Sequence, residues 1–375
     1  MPARTDRSSG HARSVLLWGV GVYAIAQLSV SLMLDYGWPL LRFPSASVRL
    51  QQLAESKIQP DIVLLGSSRV EAGIIPTEIV WQLERECRPE HPIGVFKSGL
   101  GCGDAIVSEF IFSRIRDRGV RPSLLVLEVS PETLNRNNEW LGMHVRRQLR
   151  WDDAPRYFLD ICRSMQVMRW LGERINPVYI HREELWGRTA EAVDLALGQP
   201  GDPVPAWSVA SSRPGSAGMI ETASLDDPLL PAAPPLSAEA AAISRYGTGQ
   251  QLRWLRNYRI RGSATSGALE RVLRECREEG IEVVLLGIPV TAPHRTAYTP
   301  EIDREFFAYV QKLTQDYGCR FVNYRDRIPD SLFSDNHHLS PVGGVYFSRL
   351  LTFELLGPFC QSHKFGQDAR TARAH

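Results

Sequence analysis

Apolar residues fall along this chain in two rhythms. Positions 14–34 form one block without a single charged residue, and about 20 such residues in a helix cross a bilayer core. Beyond Asp61 the pattern changes to short apolar runs, each closed by a turn and separated by segments of helical period. Ile62-Val-Leu-Leu65 runs straight into Gly66-Ser67-Ser68, which reads as a buried parallel strand ending in a tight turn. A helix is expected near 77–86, a strand over 93–96, and then a glycine-rich turn, Gly99-Leu-Gly-Cys-Gly103. Asp104 is placed to cap the next helix, which carries Ile106, Phe110, Ile111 and Ile115 on one face and stops at Gly119. A strand over 124–129 follows. The same alternation resumes late in the chain with a helix near 267–279, a strand over 283–288, a helix near 301–316 and a strand over 320–324. A last helix starts at Ser340-Pro341. Strands alternating with helices predict an α/β fold, a three-layer α/β/α sandwich around a parallel sheet of about five strands, plus one N-terminal transmembrane helix.

The pattern divides the chain into a cytoplasmic tail (1–13), a transmembrane anchor (14–34), a juxtamembrane connector (35–60), an α/β domain in two pieces (61–139 and 262–356), an insertion (140–261) and a tail (357–375). Within the insertion, 140–190 reads as helical and rich in Trp and Arg. Residues 198–248 are dense in Pro, Gly, Ser and Ala and read as a long flexible segment. The Trp and Arg residues from Trp140 to Trp186 suit an amphipathic cover on the domain, or a surface for sugar or anionic polymer. Arg4, Arg7 and Arg13 precede the apolar block, which leaves the amino terminus in the cytoplasm and exports the remainder to the periplasmic side of the inner membrane. Ala24-Ile25-Ala26 also resembles a signal-peptidase site, so a cleaved signal is a second reading. A buried core helix is the plain third.

Composition narrows the function classes. The chain is 43% hydrophobic and 23% charged, as a globular protein is. A formal net charge of +1, with no stretch where aromatic and basic residues alternate, gives no reason to expect nucleic acid. Six cysteines without a CxxC pair provide neither a disulfide scaffold nor a zinc site; in an oxidising compartment one bridge stays open, with the pair unassigned.

The chemistry gathers around Ser68. A serine at the carboxyl edge of a strand needs a base to remove its proton and a third group to orient that base. Ser334-Asp-Asn-His-His-Leu-Ser-Pro-Val-Gly343 supplies both. Asp335 and His338 are three apart, so one turn points both side chains the same way, while His337 diverges. Gly103 offers a backbone N–H to an oxyanion beside the N–H of Ser68. Each part has a plainer reading alone, as a turn or a solvated helix cap, but their order and strand-end placement together make a Ser68–His338–Asp335 triad. Two other sites compete with this one. Gly99-x-Gly101-x-Gly103 with Glu128 downstream suits a dinucleotide loop only poorly, because the third glycine of the usual spacing is replaced. Asp335, His337 and His338 lack a further ligand at recognisable metal spacing. No cofactor or metal is expected. Ile288-Pro289-Val290-Thr291 is expected near the pocket without a catalytic role.

These residues resemble the SGNH (GDSL-type) hydrolases and acyltransferases. Gly66-Ser67-Ser68-Arg69 is similar to that family's first block, with serine where aspartate is usual. Cys102-Gly103-Asp104-Ala105 is similar to the second block and Asp335–His338 to the last. The resemblance covers roughly 58–139 and 262–356. It implies a flavodoxin-like sheet, with Ser68 as nucleophile, Asp335 and His338 completing the triad, and Ser68 and Gly103 forming the oxyanion hole. The third block departs: Ser130-Pro-Glu-Thr133 stands where the family has Gly-x-Asn-Asp, so either fewer donors serve or Asn135 or Arg69 substitutes. This version looks most like a cell-envelope branch that includes alginate O-acetyltransferase-like proteins and the teichoic-acid D-alanyl transfer protein. The likeness implies acyl transfer to or from an envelope polysaccharide or glycolipid, with a multipass membrane O-acyltransferase as partner. The alternative it leaves is a non-catalytic envelope scaffold that keeps the fold and binds polymer or such an acyltransferase.

Overall fold

The computed structural model describes residues 7–38, 42, 44–56, 59–87, 92–101, 103–136, 148–163, 165–187, 189, 249 and 252–362. The expected flexible stretch 198–248 lies outside the described residues. Those described form two compact units, 7–48 with 148–189, and 49–136 with 249–362.

In chain order, helix α1 (Arg7–Leu32) runs on through a wide π-type turn, Met33–Gly37. An 18-residue window of the helical stretch His11–Gly37 has a mean hydropathy of 1.8, and the stretch is long and apolar enough to cross a membrane. Helix α2 (Pro44–Glu55) occupies the expected connector. There follow β1 (Ile62–Ser67), the short α3 (Ser68–Gly73), α4 (Pro76–Cys87), β2 (Val95–Leu100), α5 (Ala105–Asp117), β3 (Leu124–Glu128) and the single turn α6 (Pro131–Leu134). The first unit then adds a tight turn, Trp151–Asp153, with α7 (Ala154–Arg163), α8 (Val167–Ile175) and α9 (Pro177–Ile180). The second unit closes with α10 (Ala264–Glu279), β4 (Glu282–Gly287), the turn α11 (Ala292–Arg295), α12 (Pro300–Tyr317), β5 (Arg320–Asn323), α13 (Pro341–Leu351) and α14 (Gly357–Ser362).

The five strands form one parallel sheet in the order β2-β1-β3-β4-β5. This is the expected α/β class. Ile62, Val63, Leu64 and Leu65 of β1 are all buried, because β1 lies inside the sheet and both its faces are covered. Side chains alternate across a strand, and Ile62 and Leu64 join Val126, Val284 and Leu286 in one core with Ile74, Ile79, Leu83, Phe347 and Leu351. That face therefore carries α3, α4 and α13, while α5, α10 and α12 pack together on the other. Each fully buried aliphatic side chain contributes roughly 1.5–3 kcal/mol of transfer free energy.

Two boundaries differ from the sequence reading. The second strand was expected over 93–96 but pairs from Val95, opposite Ile62, to Leu100, opposite Ser67. Gly99 thus belongs to the strand and not to the turn. A Cβ there would sit 2.3 Å from the Glu71 backbone nitrogen, so the missing side chain lets α3 lie across the strand end. The α/β domain also continues past 356, since α14 adds Phe359 and Cys360 to the core.

The chain runs from β1 outward to β2, then returns to place β3 on the opposite side of β1. In sheets of this order ligands bind at the carboxyl ends of the strands, where the winding reverses. Ser68, Gly103 and Ser130 follow the ends of β1, β2 and β3 around that crevice.

Candidate active site

Ser68 owes its position to the junction of β1 and α3. Gly66 lies within the buried strand, where a Cβ would fall 2.4 Å from both Glu128 Oε2 and Val70 Cγ2. Ser67 caps α3, its Oγ accepting the Arg69 N–H at 3.1 Å. Ser68 is then the first helical residue. Its own N–H is among the donors that a helix start leaves without an intrahelical partner.

Its partners come from the loop before α13. The Ser334 N–H donates to the His338 carbonyl at 2.8 Å, and Phe333 bridges Leu339, closing a tight loop. Inside it Asp335 Oδ1 accepts the N–H groups of His337 and His338 at 2.8 and 2.7 Å. Asp335 Oδ2 is left to bond His338 Nδ1 at 2.7 Å. His338 Nε2 in turn lies 2.7 Å from Ser68 Oγ. Serine, imidazole and carboxylate thus form one continuous hydrogen-bonded chain. Burial opposes ionisation of Asp335, but its bonds from the His338 ring and the His337 N–H outweigh this and hold the carboxyl well below the usual range.

A second network lies beneath Ser68. Glu128, with its side chain wholly buried, accepts the Ser67 N–H at 2.6 Å and the Ser67 hydroxyl at 3.0 Å. Arg69 reaches Glu128 Oε1 at 2.8 Å, donates to Ser130 Oγ at 2.7 Å and faces Glu132 at 3.6 Å. Burial works against the Arg69 charge, yet the two carboxylates raise its pKa above the ordinary value. Glu132 Oε1 meets His294 Nε2 and the Tyr298 hydroxyl, each at 2.8 Å. Burial alone would raise the Glu132 carboxyl, but Arg69 and His294 hold it well below its normal range.

The cleft above Ser68 is bounded by Gly103, Arg69, Thr133, Trp254, His294 and His337. His337 was expected to diverge from the triad. It does leave the hydrogen-bonded chain, but its ring sits 4.0 Å from that of His338 and forms part of the cleft wall. Burial, with the neighbouring His338 and Arg69 charges, lowers its pKa to about 3. Glu132, Thr133, Trp254 and His294 were not read from the sequence. His294 had a usable signal: Thr291 caps α11 and its hydroxyl accepts the His294 N–H at 3.3 Å. Residues 288–291 do not themselves bound the cleft. Thr291 instead ties to the triad loop, its hydroxyl donating to the Asn336 carbonyl at 2.7 Å.

The expected oxyanion donors fare unequally. Gly103 borders the cleft, and a Cβ there would press to 2.9 Å from the Gly66 carbonyl oxygen. Its N–H, however, donates to the Leu100 carbonyl at 2.8 Å. Cys102 lies outside the described residues. Asp104 caps α5 with two bonds of 2.9 Å, and burial pushes its pKa up to about 7. Asn135 is not brought to the site. Its amide donates to the Trp254 carbonyl and accepts the Arg259 N–H at 3.0 Å, which pins the segment before α10. Arg69 does border the cleft, with its guanidinium engaged below Ser68. Asp335, His337 and His338 offer three possible metal-ligand atoms within 4.8 Å of one another. Two of those residues already share the Asp335–His338 bond, so the cluster fits a proton relay better than a cation.

No family model matches the chain, and no curated protein matches it. Among solved structures it is similar to a diltiazem-metabolizing enzyme of a gut microbe, with 10% identity and a TM-score of 0.35, over 83% of this chain and 48% of that one. The chain thus spans about half the length of that enzyme. It is also similar to a Bacteroides fragilis protein assigned as an acylhydrolase, with 11% identity and a TM-score of 0.36, over 83% of this chain and 96% of that one.

Proposed function

We propose that this protein is a serine-dependent O-acyltransferase or esterase of SGNH type. The observation that carries the reading is the Ser68–His338–Asp335 chain, with both links at 2.7 Å, in the crevice where the sheet reverses its winding. His338 Nε2 takes the Ser68 proton as Oγ bonds to the acyl carbon. Asp335 stays ionised, fixes the ring through Nδ1 and stabilises the imidazolium. The oxyanion meets the Ser68 N–H, and the Gly103 N–H turns toward it by sharing or releasing its bond to Leu100. His338 then protonates the departing alcohol, leaving an acyl-enzyme on Ser68. Water or a sugar hydroxyl, deprotonated by His338, resolves it.

The acceptor class follows from the resemblance and from α1. If α1 spans the inner membrane with Arg13 on the cytoplasmic side, the site faces the periplasm and its substrate is an envelope polysaccharide or glycolipid. Trp254 in the cleft wall offers an aromatic face of the kind sugar rings stack on. A multipass membrane O-acyltransferase is the partner this reading supplies. One observation favours the second reading, a non-catalytic scaffold: the Gly103 N–H is engaged by Leu100. The full-length protein with p-nitrophenyl acetate, with and without a glycan acceptor, separates the two. The enzyme reading expects nitrophenolate release that Ser68→Ala abolishes; release that survives that substitution sinks it.

A further inference from the structure

We infer that α8 and α9 are embedded in the same lipid leaflet as the second half of α1, with Met168, Ile175 and Val178 facing acyl chains and Tyr179 at the headgroup boundary. This rests on the reading of α1 as a membrane span. Residues 11–20 of α1 are exposed on every side. In the second half Gln27, Ser31 and Leu34 are buried along one stripe, and α8 and α9 are the helices packed on α1.

Depth follows from the length of the helix. At 1.5 Å per residue the uncharged block 14–34 is only just long enough for a hydrocarbon core of about 30 Å. Tyr23 therefore lies near the bilayer centre, and the stretch from Tyr23 to Leu34, about 17 Å, crosses one leaflet. Tyr23 donates through its hydroxyl to Asn176 Oδ1 at 3.2 Å. The Val178 N–H, an orphan donor at the start of α9, is accepted by Gln27 Oε1 at 3.4 Å. The segment Arg174–Val178 thus contacts α1 through side chains that lie between Tyr23 and Asp35, along one leaflet's length of the helix. In lipid such interhelical bonds between polar side chains and free backbone groups are the expected glue.

The outer surface has the matching chemistry. Met168 is 80% exposed, Ile175 62% and Tyr179 60%. With Val178, also exposed, these apolar side chains would meet water if the helices lay outside the bilayer. Of the charged residues here, Arg182 and Glu183 follow the end of α9. Arg182 stacks over the Tyr179 ring at 4.5 Å, a pairing typical of the headgroup layer, and Glu183 lies 3.6 Å from Arg182. Arg169 has a stem long enough to reach the same layer. Where the span ends, Asp35 is wholly buried and held by Arg42 and by both oxygens' contacts with Arg174 at 3.0 Å.

The test places a photoreactive diazirine amino acid singly at Val20, Met168, Ile175 or Trp81 in the full-length protein, reconstituted in phosphatidylcholine vesicles. Trp81, an exposed aromatic of the sheet-bearing unit, serves as the comparison position. After irradiation, lipid adducts are expected at Val20, Met168 and Ile175, at least tenfold above Trp81. Adducts at Val20 with none at Met168 and Ile175 overturn this inference and leave the anchor intact. No adducts at Val20 remove the anchor and the inference together. Cross-links from Met168 or Ile175 to a second polypeptide, in place of lipid, also overturn it, because the face is then a protein interface.

Discussion

Glu128 is the residue whose removal says most about how Ser68 is held. Its wholly buried carboxylate takes the Ser67 N–H at 2.6 Å, the Ser67 hydroxyl at 3.0 Å and the Arg69 guanidinium at 2.8 Å. Hydrogen bonds to charged groups are each worth about 1.5–3 kcal/mol, but three on one group do not add. Removing one partner of a buried ion pair costs about 3–5 kcal/mol, mostly from the charge left behind. Arg69 would keep Ser130 at 2.7 Å and Glu132 at 3.6 Å, so Glu128→Ala belongs near the lower end, about 3 kcal/mol. At roughly 2–4 °C per kcal/mol for a domain of this size, the midpoint of thermal unfolding falls by about 6–12 °C. Intrinsic-fluorescence melting of the full-length protein measures it. Replacing both partners, Arg69→Met with Glu128→Leu, should recover part of the loss, since no buried charge is then stranded. A shift below about 2 °C for Glu128→Ala would refute this account of the network.

The other expectations concern the triad, the displaced asparagine and acid. Asp335→Asn removes the charge that orients His338 and should lower kcat by about 10⁴-fold with little change in KM, read by ester hydrolysis. Asn135→Ala strands the Trp254 carbonyl and the Arg259 N–H, at about 1–3 kcal/mol each; melting should show the loss while kcat stays within twofold of the parent, whereas an oxyanion donor would cost about 10²–10³ in kcat. Burial keeps His337 neutral in the folded protein down to about pH 3, while the unfolded chain takes up that proton below its ordinary 6.5. The contribution is therefore intact above pH 6.5 and lost as the pH falls toward 3, with a slope of at most about 1.4 kcal/mol per pH unit. His337→Gln should flatten that part of a urea-denaturation profile against pH; an unchanged slope would assign the acid sensitivity to other groups.

What could be read from the sequence is what local spacing controls. Asp335 and His338 meet because three residues span one turn, and the Asp335 carboxylate accepts two N–H groups within that turn. The apolar run before Gly66 declares a buried strand whatever lies beside it. The partners of Ser67 were invisible for the opposite reason. Glu128 lies 61 residues from Ser67 and reaches it only once β1 and β3 pair. Read along the chain, the same Glu128 suggests only a poor match to a ribose contact in a dinucleotide site. Asn135 illustrates the converse error. It follows β3 closely enough to look like a replacement donor, but the single turn α6 carries it past the crevice, to the segment 254–259. Likewise Gly99 reads as a turn residue in a glycine-rich stretch, while the nearness of α3 is what requires it.

The central claim is that His338 activates Ser68, and covalent labelling tests it most directly. The full-length protein is exposed briefly to a fluorophosphonate near neutral pH, and the adduct is followed by intact mass and located by peptide mapping. The account predicts one adduct, on Ser68, forming about 10²–10⁴ times more slowly in His338→Ala. An adduct on Ser67, no adduct at all, or labelling of Ser68 at the same rate without the imidazole would contradict it.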